Sequence, residues 1–80
     1  MDAILIEIIG KDCKNHWLLD NNVFTAIAKL GITARVIHIT DPTEVYKRGI
    51  IRTPALAING EVVSQGQIIS SRQIQLLLQQ

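Results

Sequence analysis

Cysteine is nearly absent from this chain: of 80 residues, one, Cys13, carries a thiol. A single thiol excludes an internal disulfide, so the fold is not disulfide-stapled and a reducing compartment is its natural setting. Aromatic residues are as scarce, with one Trp, one Tyr and one Phe. The apolar content is instead Ile, Leu, Val and Ala, as expected for a sheet packed against helices. Charge of one sign is also missing. The formal net charge is +1, with acids and bases interspersed. No basic stripe is present to bind nucleic acid, and no polybasic cluster to anchor a membrane surface. Long hydrophobic runs are lacking too. The first apolar stretch is short, is broken by Glu7 and has no basic segment before it, so it reads as neither a signal peptide nor a membrane span. A cytoplasmic location is the expectation. No linker, repeat or low-complexity stretch divides the chain, and residues 1–80 read as one domain with a small core.

What is present follows a clear order. Residues Ala3 to Ile9 are almost continuously apolar and rich in β-branched side chains, the pattern of a strand buried on both faces. Residues Gly10 to Cys13 make a turn. From Lys14 to Leu30, Leu19, Val23, Ile27 and Leu30 recur at helical spacing, with Phe24 and Ala28 beside them, and Gly31 stands where a helix ends. Residues Ile32 to Ile39 read as an edge strand with one wetter face. Asp41-Pro42-Thr43-Glu44 predicts a helix start with Asp41 as N-cap, Pro42 in the first turn and Glu44 closing a capping box; this short helix ends near Gly49. Residues Ala55 to Ile58 and Glu61 to Ser64 form two strands joined by an Asn59-Gly60 hairpin turn. Ser70 or Ser71 caps a last helix, with Gln73 three residues after Ser70 and Ile74, Leu77 and Leu78 as its apolar face. The fold class is therefore α/β, β-α-β-α-β-β-α, with a mixed four-stranded sheet flanked by helices.

Three segments carry specific information: Gly10-Lys11-Asp12-Cys13-Lys14-Asn15-His16, Gly49-Ile50-Ile51-Arg52-Thr53-Pro54-Ala55-Leu56, and Ile58-Asn59-Gly60-Glu61-Val62. With the element order, they make the chain resemble the thioredoxin-like fold. Within it, the chain is most similar to the small, glutaredoxin-sized thioredoxins known as redox-active disulfide proteins. Members carry Gly-x-x-Cys-x-x-Cys at the first segment, Thr-Pro-Ala-Leu at the second and Asn-Gly in the hairpin. Here His16 stands where the second cysteine would be. The resemblance implies a cis proline at Pro54 facing the cysteine, and a Thr53 backbone able to pair with an extended peptide or glutathione.

Cys13 is the candidate nucleophile. At a strand-to-helix junction, the free N–H groups and the helix dipole favour an anion and hence the thiolate. Lys11, Lys14 and Arg52 add positive potential and Asp12 opposes it. His16, one turn on, offers either a positive charge or a proton acceptor. Thr53, Pro54, Lys14 and Trp17 are the candidate substrate-binding residues, with Trp17 flanking the thiol. Tyr46 and His38 read as structural. Without a resolving thiol, three routes stand open: an outside thiol such as glutathione resolves Cys13 in a monothiol, glutaredoxin-like cycle; two chains join through Cys13; or no turnover occurs. The expectation is a monothiol thiol-disulfide oxidoreductase, or a degenerate relative of one. Its partners would be a disulfide-containing protein or glutathione, with glutathione as co-substrate rather than a bound cofactor, and it would be a monomer or weak dimer. One alternative is a non-catalytic binding module. A weaker one is metal handling through Cys13 and His16, for which two ligands are too few to build a zinc site.

Overall fold

The structure, a computed structural model, describes residues 3–80. Its elements follow the expected order: β1 (Ile4–Ile9), α1 (Lys14–Leu30), β2 (Ala34–Ile39), α2 (Pro42–Lys47), β3 (Ala55–Ile58), β4 (Glu61–Gln65) and α3 (Ser71–Leu78). The sheet runs β2-β1-β3-β4, with β1 parallel to β2 and antiparallel to β3. The most apolar strand thus lies inside, where both its edges are paired, and β2 lies at an edge.

Alternation along β1 sends side chains to two different layers. Ile6 and Ile8 face α1 and α3, where they join Leu19, Val23, Ala26, Leu56 and Ile74 in the larger core. Ile9 faces the opposite way, into a smaller cluster with Ala55 and Ala57 that Val45 and Ile50 cover from the α2 side. Burying each of the larger side chains contributes about 1.5–3 kcal/mol. Glu7 shares the α2 side and is almost fully buried, and Arg48, just past α2, reaches it with Nη1 2.6 Å from Oε2. This ion pair ties the short helix to the sheet.

Local signals account for the element ends. Gly31 adopts the left-handed conformation (φ 63°) that closes α1, and Asn59 and Gly60 (φ 50° and 86°) make the hairpin turn. Ser70 and Gln73 form a reciprocal capping box on α3. At α2, Asp41 accepts from the Thr43 N–H, but Glu44 does not close the expected box. A second difference concerns α1. Its buried residues are His16, Leu19, Val23 and Ala26, while Phe24 is half exposed. The helix turns its 16-19-23-26 arc to the sheet and α3, which rotates Phe24 out to solvent.

Candidate active site

Strand register brings the motif segments together. Ile9 pairs with Ala55, so the turn leaving β1 lies beside the residues entering β3. Gly10 is buried at φ 146°, and a Cβ there would lie 2.8 Å from the Thr53 Cβ and 3.4 Å from the Pro54 Cα. Only glycine admits so close an approach of turn and loop. The Thr53–Pro54 peptide bond is cis.

The loop carrying Thr53 is anchored on both sides. Gln65 Oε1 accepts from the N–H groups of Ile51 (3.0 Å) and Arg52 (3.4 Å), and the Gly66 N–H donates to the Pro54 carbonyl (2.9 Å). Thr53 is exposed between these anchored neighbours. A groove of about 220 Å³ runs from Gly10, Lys11 and Thr53 to Val45, Tyr46 and Ile50. Tyr46 therefore lines a surface hollow beside the loop instead of packing in the core. Gln65 was not recognisable from sequence, because only the hairpin's return path sets its side chain against the loop.

Cys13 is exposed and is the N-cap residue of α1, with extended backbone (φ −145°, ψ 176°) and no side-chain capping bond. Its carbonyl accepts from the Trp17 N–H at 3.1 Å. The first turn contains no acidic residue, and Lys14 opens the helix exposed. The thiol therefore sits at the positive end of a 17-residue helix, where a negative charge is favoured.

His16 is fully buried, and among the described residues neither ring nitrogen has a hydrogen-bond partner, Cys13 included. Burial holds the imidazole below its ordinary pKa of 6.5. Nearby His38 lowers it further, while Asp20 and Asp12 act in the opposite direction. Trp17 is partly exposed and lies edge-on to His16, with ring centroids 5.0 Å apart, and its indole N–H donates to the Asp12 carboxylate. His38, on β2 opposite Ile8, lies 5.3 Å from the His16 ring and 5.1 Å from the Trp17 ring. Its Nε2 is 2.6 Å from Asp20 Oδ1. A residue expected to be merely structural thus belongs to the surroundings of His16. The signal available in sequence was the β2 alternation, which puts His38 on the same face as Val36. Among the described residues, no three His, Cys, Asp or Glu side chains are placed together to hold a metal ion. No helix among them is long and apolar enough to cross a membrane.

Residues 4–79 match the family model for a thioredoxin domain. A thioredoxin of Methanothermobacter thermautotrophicus is 32% identical over 73 residues, covering 91% of this chain and 95% of that protein. A thioredoxin of Methanocaldococcus jannaschii is 31% identical over 71 residues, covering 89% of this chain and 81% of that protein. With sheet order, hairpin and Thr-Pro loop in agreement, the chain belongs to the thioredoxin domain family.

Proposed function

We propose that this thioredoxin-family chain carries out thiol-disulfide exchange with Cys13 as its single nucleophile. The observation that carries the reading is the placement of the thiol: exposed, uncapped, at the N-terminus of α1. The Cys13 thiol gives its proton to His16, and the thiolate attacks one sulfur of the substrate disulfide. A Cys13–substrate S–S bond forms as the original S–S bond breaks, and the leaving sulfur takes up the proton. The chain has no second cysteine, so a low-molecular-weight thiol such as glutathione then attacks the mixed disulfide and restores Cys13. For a glutathione mixed disulfide, the leaving fragment is released as a thiol, the glutathione held on Cys13 departs joined to the incoming one as glutathione disulfide, and one thiol supplied from outside is oxidised per cycle. Thr53 offers its backbone to an extended substrate, Pro54 shapes that contact, and Lys14 and Trp17 flank the thiol. The reaction needs His16 to approach Cys13 more closely than it does at rest, a tightening common when substrate binds.

The test compares the wild type with Cys13→Ser, using a glutathione mixed disulfide as substrate and reduced glutathione as the resolving thiol. Turnover by the wild type and none by Cys13→Ser is the expected result. No exchange by the wild type at neutral pH would remove the reading. It would favour a non-catalytic binding module, for which the unpartnered His16 in place of a second thiol is the specific observation.

A further inference from the structure

Three rings meet beside the first turn of α1. His16, Trp17 and His38 lie with centroids 5.0–5.3 Å apart. Only one of the two imidazoles has a polar partner. His38 Nε2 is 2.6 Å from Asp20 Oδ1, whereas both His16 nitrogens are buried and unpartnered. The charged and titratable groups acting on His16 come from three elements: Asp12 on the turn, Asp20 on α1 and His38 on β2.

We infer that the Asp20–His38 pair is a positioning unit for this site: Asp20 fixes His38 beside the buried His16 ring, and His38 so placed keeps His16 uncharged. The inference rests on the exchange reaction proposed above. A positive charge on His38 at this separation disfavours one on His16. Asp20 is bonded to only one of the two rings. Its carboxylate accepts a charge-assisted hydrogen bond from the Nε2–H of His38, while His16 has no acceptor to stabilise a charge. The lowered basicity of His16 has burial as its first cause and His38 as its second. Trp17, fixed by its bond to Asp12, packs edge-on against the His16 ring. An uncharged His16 retains a free lone pair, which is what accepting the Cys13 proton requires.

The chain contains two histidines, so imidazole NMR titration of the full chain yields two curves, assigned with His16→Leu. In His38→Gln and in His38→Phe, the His16 protonation constant should rise at least threefold. His38→Phe keeps a ring in place and removes the ring nitrogens together with the bond to Asp20. The acid limb of the exchange rate, measured with a chromogenic aromatic disulfide, should move to higher pH by the same factor. A rise with Gln but not with Phe would assign the effect to packing and overturn the inference, as would an unmoved His16 curve in both folded variants. The two readings also fail separately. If the His16 curve moves but the wild type exchanges no disulfide, the proposed reaction is lost, and the pair has no site to position. If exchange is normal but its acid limb stays fixed, only the role of His38 is lost.

Discussion

His16→Leu tests the buried imidazole most directly. A neutral imidazole carries one donor and one acceptor, and in this fold both are buried without partners. Each such group costs about 1–3 kcal/mol of unrecovered desolvation, so two cost about 2–6 kcal/mol. Leucine is close in volume, brings no polar atoms, and would sit among Leu19, Val23 and the α1-facing side of the sheet. It forfeits the ring contacts to Trp17 and His38, worth about 0.5–1.5 kcal/mol each, or about 1–3 kcal/mol together. Taken between the midpoints of the two ranges, the difference is a net stabilisation of about 2 kcal/mol. For a domain of this size, that raises the thermal midpoint by at least roughly 4 °C. Urea unfolding at pH 7.5, followed by far-UV circular dichroism, measures it. Exchange through Cys13 should fall in the same variant, because the proton acceptor is gone. A Leu variant no more stable than the wild type would refute the reasoning, since it would mean that the fold satisfies the imidazole after all.

The same substitution has a pH signature. The folded-state pKa of His16 lies below 6.5, so below that pH the unfolded chain binds a proton that the folded chain refuses. The contribution of His16 to stability is therefore fully present above about pH 6.5 and is lost as pH falls from there toward the depressed folded value. The loss is at most about 1.4 kcal/mol per pH unit. Leu at this position removes that slope, and the wild-type-minus-variant difference between pH 7.5 and 5 measures it. A difference that is flat with pH would show that His16 protonates equally in both states.

Three further outcomes are expected. Arg48→Ala strands the buried Glu7 carboxylate and should cost about 1.5–3 kcal/mol, toward the lower end because Arg48 is itself partly solvated; an unchanged urea midpoint would show the pair to be dispensable. Gly10→Ala forces a side chain to φ 146° and to 2.8 Å from the Thr53 Cβ; it should destabilise by about 1–3 kcal/mol and depress exchange by displacing the Thr53–Pro54 loop, and wild-type behaviour in both assays would contradict the packing of turn against loop. Ser70→Ala removes half of the capping box on α3 and should lower stability by about 1 kcal/mol with exchange unaffected, as read by thermal unfolding and the disulfide assay.

Much of this arrangement was legible because it is written locally. The unbroken Ile-rich run of β1 marks an inside strand, Asn59-Gly60 has few alternatives to a hairpin turn, and Ser70 with Gln73 spells out a helix cap. The burial of His16 was not part of that reading, although Leu19 and Val23 follow it at three and seven residues on one helical face. What stayed hidden depends on contacts between distant segments. Phe24 looked like part of the apolar stripe, and only the seating of α1 against α3 and the sheet turns it outward. His38 looked ordinary because its meeting with His16 requires the β1–β2 register, and Arg48 gave no sign that it reaches Glu7 across the opposite face.

The burial of position 16 also bears on what an imidazole does there. Any residue at that point of α1 is carried into the core by the same arc that buries Leu19 and Val23. A thiol tolerates such a place well, as a small, weakly polar group. An imidazole does not, because it brings a donor and an acceptor that the surroundings leave unpartnered. If the position only needed filling, Leu, Met or Ile would fill it at lower free-energy cost. The placement of Asp20, His38, Trp17 and Asp12 around the ring gives that polarity a setting in which it can act on a proton one turn away from Cys13. Stability and exchange should therefore respond to His16→Leu in opposite directions. If His16 were merely structural, its replacement would move stability and leave exchange where it was.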